Sequence, residues 1–292
     1  MFNVALLTAA HLPNGGVDTP LLQDALGALG TESALARWDN SSEDWRRYDL
    51  VLLHTPWDYS NDPQRFLMTL QTIGASTTMV NPFRTVQWNH DKRYLVALAR
   101  EGVPVPPSVA VSWPPTTRVK QELRQILGRS EVVVKPVVGA GGRGARLFQT
   151  LDEALHDSDA YHAGSVHLFQ EFVPEIMSGE YSAVFFDGVL SHAALKTPGR
   201  REFRVQEHFG GSVTSCTLPA DHRRFAEGVA DLAPGETTYA RIDFTVAADG
   251  RPRLMELEVV EPDLFLRTCP EAAERMATAL HRRLESIRKG TV

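Results

Sequence analysis

Short apolar runs alternate with amphipathic stretches over the N-terminal part of the chain. Residues 3–8 and 49–54 are apolar at their centres, which is typical of strands buried on both faces of a parallel sheet. Helical periodicity follows them, at about 20–30 and 62–74, and a short strand is expected near 78–80. This alternation predicts a parallel α/β layer, which we take as an N-terminal domain of residues 1–88.

The middle of the chain changes from this alternation to a mixed pattern. The segment that starts at Trp88 enters a helix that ends near Gly102, and a proline-rich linker follows, where each proline fixes one backbone angle. The patterns that follow predict a helix near 116–128, strands at 131–136 and 145–148, a helix at 151–158 and a strand at 166–172. Residues 89–172 are therefore expected to form a small central α+β domain.

The remaining part, residues 173–292, is predicted to be a C-terminal domain of mostly antiparallel strands covered by helices. The helices are expected at 220–232 and 270–288, and the second has a one-face apolar stripe. The predicted strands lie near 180–187, 189–196, 202–207, 212–217, 239–247 and 253–259.

Composition narrows the classes of protein that the chain can represent. It has 292 residues, of which 43% are hydrophobic, enough for one large core or several small ones. A net charge of −6 without a basic tract argues against nucleic acid as a partner. No apolar run approaches the ~20 residues of a membrane span. Two distant cysteines and a start unlike a signal peptide complete the prediction of a soluble, cytoplasmic protein with free thiols and no membrane partner.

Three carboxylates mark the predicted hairpin near the C-terminus. Asp243 and the pair Glu256 and Glu258 lie in two alternating strands joined by an Asp-Gly turn. Side chains two residues apart on a strand share a face, so Glu256 and Glu258 point the same way and Asp243 can join them. Clustered carboxylates repel one another unless a cation lies between them, and oxygen ligands suit Mg²⁺. The alternative is a solvated acidic strand face.

A glycine-rich loop between two predicted strands is the candidate phosphate-binding element. Gly139, Gly141, Gly142 and Gly144 expose backbone N–H groups and allow phosphate oxygens to approach closely. The loop lacks the Gly-Lys-Ser/Thr ending of a P-loop and the helix that a dinucleotide fingerprint requires. It is interpreted as a flap over phosphates, and a purely structural hairpin remains the alternative.

Two lysines are placed to hold phosphate. Lys135 ends an apolar strand immediately before the glycine loop, where a buried ammonium requires an anionic partner. Lys92 opens a helix, whose free N–H groups favour anions. A strand-end lysine that extends to water and an ordinary surface lysine are the respective alternatives.

The segment Gln170, Glu171, Phe172 and Val173 ends a strand and enters a linker, where its backbone can meet an adenine edge and Phe172 can lie against the ring. Glu180 follows a Ser-Gly turn and can accept ribose hydroxyls. Either acidic residue can equally be an ordinary surface carboxylate.

The loop after the second N-terminal strand is a further candidate, because ligands of parallel sheets bind at the carboxyl ends of strands. It contains Trp57, Asp58 and Tyr59. The alternative is that the two aromatic side chains only cover the sheet edge.

In order and spacing, these motifs resemble the ATP-grasp superfamily over about residues 80–260. The resemblance implies an ATP-grasp fold, whose central domain acts as a lid, and the cofactors ATP and Mg²⁺, with two ions. It also implies a ligase that activates a carboxylate as an acyl phosphate. One departure is Glu258, at a position where related ligases commonly have Asn. The matching motifs are Asp91-Lys92, Lys135-Pro136, Gly139–Gly144, Gln170–Val173, Gly179-Glu180, Glu202–Arg204, Arg241–Asp243 and Glu256–Glu258.

A closer resemblance is to D-cycloserine synthetase-like proteins, cyclo-ligases acting on O-ureido-D-serine. It is carried by residues 55–59, 88–94, 203–211 and 256–266. It implies a small amino-acid-like substrate whose own nitrogen closes a ring. The substrate contacts would come from Trp57, Asp58, Tyr59, Glu261 and Arg267.

Within this resemblance, Asp243, Glu256 and Glu258 hold Mg²⁺, Lys92 and Lys135 hold phosphates, and the flap excludes water. Arg204, on the strand predicted at 202–207, suits the transferring phosphoryl group, and Lys196 can assist. A surface salt bridge is the alternative for Arg204.

An intermolecular amide or peptide ligase, a phosphotransferase and a nucleotide-binding regulator are the rival functions. A homodimer is left open.

Overall fold

The computed structural model describes residues 1–128, 130–157 and 161–290, which form three sheets with helices packed on them. The first sheet is parallel and the other two are antiparallel. This arrangement confirms the predicted combination of α/β and α+β units. Over the described residues, no helix combines the length and the apolar character needed to cross a membrane.

The first sheet has the strand order β2-β1-β3-β4. Strand β2 was not predicted, because small and polar residues interrupt its apolar pattern and it lies at the sheet edge, where it is only partly buried. The strands are β1 (Phe2–Thr8), β2 (Thr31–Arg37), β3 (Leu50–Thr55) and β4 (Thr78–Val80), and the helices beside them are α1 (Thr19–Ala28) and α2 (Pro63–Ser76).

The second sheet has the order β5-β8-β6-β7, and the glycine-rich loop joins β6 to β7. The helix that Lys92 was predicted to open is α4 (Arg93–Arg100), and a separate helix that was not predicted, α3 (Phe83–Asn89), precedes it. The helix predicted at 151–158 ends at His156, and residue 158 lies outside the described residues. The elements are α3 (Phe83–Asn89), α4 (Arg93–Arg100), β5 (Ser108–Ser112), α5 (Thr117–Leu127), β6 (Val132–Pro136), β7 (Arg146–Phe148), α6 (Leu151–His156) and β8 (Val166–Glu171).

The third sheet has the order β11-β10-β9-β12-β13. One predicted strand, 202–207, is wrong. Its backbone pairs with no strand in the described chain, because the Glu202 carboxylate accepts the N–H groups of Phe203 and Arg204. The elements are β9 (Glu180–Phe186), β10 (Val189–Thr197), β11 (Ser212–Cys216), α7 (Ala220–Ala230), β12 (Tyr239–Val246), β13 (Pro252–Glu258) and α8 (Ala272–Arg288).

Strand register gives the third sheet one polar and one apolar face. Asp243 pairs with Glu256 across the β12–β13 hairpin, and Lys196 pairs with Glu180 across β9 and β10. The intervening residues, such as Ile242 and Leu257, point to the opposite face and are fully buried in the core. Alternation with a period of two therefore places the charged groups together on one face.

The C-terminal helix joins the first and third sheets. Met276 and Leu280 of α8 pack in one apolar cluster with Leu26 of α1 and Val184 of β9. Asn81, after β4, adds hydrogen bonds to the carbonyls of Tyr239 and Val259. These contacts fix the carboxyl ends of the parallel strands beside the polar face of the third sheet.

Candidate active site

A cleft of about 520 Å³ lies between the polar face of the third sheet, the glycine-rich loop and the loops at the carboxyl ends of β1 and β3. It brings together most of the predicted site residues, although they come from all three sheets. Those that line it are Trp57, Tyr59, Lys92, Lys135, Gly139, Gly141, Gly142, Gln170, Glu171, Phe172, Val173, Glu180, Lys196, Arg204, Asp243, Glu256, Glu258 and Glu261.

Three predicted residues are not part of this described lining: Asp58, Gly144 and Arg267. Asp58 accepts a 2.6 Å hydrogen bond from the indole of Trp38 and thereby fixes the end of its loop. Arg267 lies behind the wall of the cleft, where it pairs with Asp18 at 3.0 Å.

A buried ion network forms the floor of the cleft. The Lys196 ammonium lies 2.5 Å from Glu180 and 2.9 Å from Asp243. Asp243 also accepts from Ser182 at 2.6 Å and from the Arg241 guanidinium at 2.8 Å. Burial raises the pKa of Asp243, but Arg241 and Lys196 outweigh burial and hold this pKa below its usual value. Asp243 therefore carries a fixed negative charge.

Glu256 is the meeting point of the two predicted phosphate-binding lysines. Its Oε1 atom lies 3.5 Å from Lys92 Nζ and 3.4 Å from Lys135 Nζ. Burial raises the pKa of Glu256, but the two lysines outweigh it and the pKa is lowered. Lys92 Nζ also donates to the Gly139 carbonyl at 3.0 Å, which ties the start of the glycine loop to helix α4. Both ammonium groups thus lie under the loop and face the cleft.

Glu258 lies beside Glu256 and is hydrogen-bonded to it. Burial is the main cause that raises the pKa of Glu258, and the charges of Glu256 and Asp243 raise it further against the 2.6 Å contact with Arg241. Two adjacent carboxylates that repel one another are a donor set in which a divalent cation can offset the repulsion. The oxygen-rich composition of the set fits Mg²⁺.

The basic partners of these carboxylates affect their geometry. Within residues 1–128, 130–157 and 161–290, no three acidic, His or Cys side chains have the arrangement of a formed metal site. Asp243 is already occupied by Arg241 and Lys196. Asp243 must therefore exchange a contact before it can be a direct ligand.

The glycine-rich loop rests against the segment that carries Arg204. Gly142 has a φ of +69°, and a Cβ atom there would come within 2.7 Å of Gln206 Oε1. Both the left-handed backbone and this close approach require glycine. The loop thus covers the cleft by contacting residues 206–208.

Arg204 is not on a strand, which corrects the predicted position. Its guanidinium donates to the Glu202 carboxylate at 3.0 and 2.7 Å and lies 3.5 Å from the ring centroid of Phe209. Hydrogen bonds from Arg204 are the main cause that lowers the pKa of Glu202 to about 2. The guanidinium lines the cleft with its orientation fixed from two sides.

At the end of the cleft near β8, the side chain of Gln170 is buried and donates to Ser108 at 2.9 Å. The backbone N–H groups of Glu171 and Phe172 donate to the carbonyls of Pro107 and Glu131. The Glu180 carboxylate, predicted to accept ribose hydroxyls, is instead paired with Lys196.

At the opposite end, the loop after β3 meets the segment after β13. The Trp57 indole donates to the Glu261 carbonyl at 2.9 Å, and the Tyr59 hydroxyl donates to the Glu261 carboxylate. Burial raises the pKa of Glu261 to about 7, against the lowering effect of Lys92 and Arg241. This end is therefore lined by aromatic rings and a carboxylate.

Sequence reasoning missed several residues that shape the site. Arg241 pairs with both Asp243 and Glu258, and a charged residue inside an otherwise apolar strand was a readable signal for it. Asp263 and Glu207 line the cleft and both pair with Arg267. No local pattern indicated this last set, because the contacts join distant parts of the chain.

Paired lysines over a carboxylate, beneath a glycine loop and against the polar face of an antiparallel sheet, form a site suited to a polyphosphate, and the comparisons with known proteins identify its class. Residues 107–261 match the family described as prokaryotic glutathione synthetase, ATP-grasp domain. Residues 4–81 match the family described as D-cycloserine synthetase DcsG, N-terminal domain. The chain belongs to the DcsG family of ATP-grasp ligases.

Two relatives show how far this similarity extends. The cycloserine biosynthesis protein DcsG of Streptomyces lavendulae is 30% identical, over 97% of this chain and 99% of its own length. A probable alpha-L-glutamate ligase of Maridesulfovibrio salexigens is 29% identical, but over 50% of this chain and 48% of its own length. The first similarity covers all three sheets, whereas the second covers about half of the chain.

Solved structures give the same result. The crystal structure of D-cycloserine synthetase DcsG superposes with a TM-score of 0.84, at 28% identity over 97% of this chain and 99% of that chain. The D-alanine–D-alanine ligase from Bacillus anthracis, complexed with ATP, superposes with a TM-score of 0.72 at 17% identity, with both chains fully covered. The second likeness shows a shared fold.

Proposed function

We propose that this ligase activates the carboxylate of a small amino-acid-like substrate as an acyl phosphate, with release of ADP, for attack by a nitrogen nucleophile. We further infer that the nucleophile belongs to the same molecule, so that O-ureido-D-serine closes to a ring and yields D-cycloserine. The observation that carries the activation step is the convergence of Lys92 and Lys135 on Glu256 beneath the glycine loop. The similarity to DcsG over 97% of the chain supports the choice of substrate.

The two lysines hold the phosphates of ATP. Their ammonium groups share one carboxylate, Glu256, and both face the cleft. A triphosphate offers each ammonium group additional anionic partners in a site that is largely screened from water. The adenine end is assigned to Gln170, Glu171, Phe172 and Val173, with Glu180 near the ribose.

Asp243, Glu256 and Glu258 are the residues assigned to hold Mg²⁺, as two ions. When bound, these ions offset the negative charge that develops during phosphoryl transfer. Glu256 and Glu258 supply adjacent oxygens, and Arg241 keeps the Glu258 carboxylate oriented from the side. Lys196 keeps Asp243 in place at 2.9 Å, and this positioning is the role that we assign to Lys196.

Arg204 stabilises the transferring phosphoryl group and the oxyanion that follows. Its two bonds to Glu202 leave the remaining guanidinium N–H groups for a ligand in the cleft. The glycine loop, which contacts the same segment, excludes water that would hydrolyse the acyl phosphate. We assign residues 89–172 as the lid, between an N-terminal domain of residues 1–88 and a C-terminal domain of residues 173–292.

The similarity to DcsG over 97% of the chain is what supports ring closure. The nitrogen attacks the acyl carbon, the C–N bond forms and inorganic phosphate leaves with the former carboxyl oxygen. The attacking nitrogen loses its proton in this step. Hydrolysis of the carbamoyl group by water then releases carbon dioxide and ammonia and completes D-cycloserine. Trp57, Tyr59 and Glu261 are the residues assigned to this substrate, with Asp58 and Arg267 behind them.

The test is an assay of ADP release across a set of D- and L-amino acids that includes O-ureido-D-serine, with mass analysis of the products. We expect ADP release when O-ureido-D-serine is the only acid or amine present. The product should be lighter than O-ureido-D-serine by one water, or by one water and the carbamoyl group. ADP release only when a second amine is added identifies an intermolecular ligase, which the similarity to a probable alpha-L-glutamate ligase favours as the second candidate. A stable phosphorylated product identifies a phosphotransferase. Either result overturns ring closure.

A further inference from the structure

The carboxylates that line the cleft differ in whether a basic side chain already neutralises them. Glu180, Asp243, Glu256 and Glu258 are paired with lysines or arginines of the floor. At the rim, Glu207 and Asp263 are paired with Arg267. In the part of the chain that the structure describes, only Glu171 and Glu261 line the cleft without a basic partner within 4.0 Å.

These two carboxylates lie at opposite ends of the cleft. Glu171 is at the end of β8, on the side assigned to adenine. Glu261 follows Glu258 by three residues and lies within electrostatic reach of Lys92 and Arg241. Glu261 is therefore the carboxylate without a basic partner within 4.0 Å that lies beside the residues assigned to phosphoryl transfer, the phosphoryl-transfer centre.

The surroundings of Glu261 fix its position. The residue is 9% exposed, the Trp57 indole holds its backbone carbonyl, and the Tyr59 hydroxyl donates to its carboxylate. Tyr59 is itself held by stacking on Phe66, with ring centroids 4.6 Å apart. Burial raises the pKa of Glu261 to about 7, and a cation bound beside the carboxylate would lower this pKa again.

We infer that Glu261 binds the α-ammonium group of the substrate and thereby selects α-amino acids over other carboxylic acids. This inference rests on the proposed function, because it needs a substrate carboxylate at the phosphoryl-transfer centre. The amino group of an α-amino acid is carried by the carbon next to the carboxyl group. Its anionic partner must therefore lie close to the transfer centre, as Glu261 does. The Trp57 indole, which bonds the Glu261 carbonyl and lines the cleft, is an aromatic ring of the kind that attracts cations.

The test compares ligand pairs that differ only in the amino group. Calorimetric titration with Mg²⁺ and a non-hydrolysable ATP analogue uses O-ureido-D-serine against its analogue with hydrogen in place of the amino group, and D-alanine against propanoate. Because a hydrogen bond between charged groups is strong, the wild-type protein is expected to prefer the amino acid by about 10- to 100-fold. Glu261→Gln is expected to reduce this preference to about twofold or less while the ATP analogue binds as before.

Two control variants separate this contact from a general loss of negative charge. Glu122→Gln removes a charge at an exposed position of α5, outside the described lining of the cleft, and is expected to keep the preference. Glu261→Asp keeps the charge on a shorter side chain and is expected to keep part of it. Thermal unfolding establishes that each variant is folded.

Each outcome decides between the inference and the proposed function. A preference that survives in Glu261→Gln, or a wild-type protein that binds neither amino acid, overturns the ammonium site. If the wild-type protein turns over O-ureido-D-serine and the preference survives in Glu261→Gln, the proposed function is supported and the ammonium site is rejected. A Glu261-dependent preference for D-alanine, without any reaction of O-ureido-D-serine, supports the ammonium site and overturns the proposed substrate.

Discussion

The two ends of the cleft are built in different ways. At the end that we assign to phosphate, here called the phosphate end, Lys92 and Lys135 lie near the start or the end of a single element and converge on Glu256. At the end that we assign to the acid substrate, here called the acid end, the Trp57 indole bonds the Glu261 carbonyl, 204 residues away. Arg267 there bonds a carboxylate, Asp18, 249 residues away.

This difference shows which interactions local sequence can encode. The phosphate end needs backbone N–H groups and positive charge, which a glycine loop and a strand-end lysine supply wherever they occur. The acid end needs side chains at defined distances from one another, which only the packed fold supplies. Variants at the two ends should therefore separate nucleotide binding from acid recognition.

Arg204→Ala should give the largest effect, because Arg204 is assigned to the transition state and belongs to neither end. We expect turnover to fall by about 10²- to 10³-fold, the usual loss for such a donor, with ATP affinity changed less than about twofold. Steady-state kinetics and nucleotide titration check this. Arg200→Ala, an exposed arginine of the same segment, is the matched control. Equal losses of turnover and ATP affinity would contradict the assigned role.

Lys135→Ala tests the phosphate end alone. We expect ATP affinity to fall by about 10- to 100-fold, since a charge-assisted bond to phosphate is lost, while KM for the acid changes little. Nucleotide titration is the measurement. Lys120→Ala on α5, outside the described lining of the cleft, should bind ATP normally. A larger change in the KM of the acid than in ATP affinity would reverse the assignment of the two ends.

Glu261→Gln tests the acid end through stability. Burial raises the pKa of Glu261 from 4.5 to about 7, even though Tyr59, Lys92 and Arg241 face it and favour the charged form. Between these values the folded protein holds a proton that the unfolded chain releases, so this group makes the protein less stable as pH rises. Glu261→Gln has no ionisable group at this position, so it does not lose stability in this way as pH rises. Its unfolding free energy relative to wild type should therefore rise by about 1–3 kcal/mol from pH 5 to pH 8.

Denaturant titration of the ligand-free protein at both pH values measures this change. Glu122→Gln, at an exposed position of α5 outside the described lining of the cleft, is the control and should show no such trend. A constant difference between Glu261→Gln and wild type at pH 5 and pH 8 would refute the assigned titration.

Trp57→Phe should give the smallest effect. It keeps an aromatic ring but removes the 2.9 Å bond to the Glu261 carbonyl. A neutral hydrogen bond contributes about 1 kcal/mol, so KM for the acid should rise by about fivefold. ATP affinity should stay within about twofold. Kinetics with each substrate varied in turn provides the measurement, and a parallel loss of ATP affinity would show that the two ends are not independent.

The sequence predicted the elements whose periodicity was clear. The β12–β13 hairpin was readable because Arg241–Val246 and Arg253–Glu258 alternate about an Asp-Gly turn, and alternation alone places their charges on one face. Strand β5 was missed because it is short and follows a proline-rich linker, and Arg204 was misplaced because the Glu202 side chain captures backbone groups that a strand would use. The Arg267 contacts were unreadable, since they depend on how three distant segments pack.

Arg267 has a consequence for any attempt to redesign specificity. One guanidinium holds Asp18 and Asp263 on the acid side, and it also holds Glu207 in the segment that presents Arg204. Substitutions chosen to admit a new acid will therefore alter catalysis through the same hub, and their effects will be epistatic rather than additive. Directed-evolution libraries should randomise positions 18, 207 and 263 jointly, because variants selected at one of these positions will be poor starting points for the others.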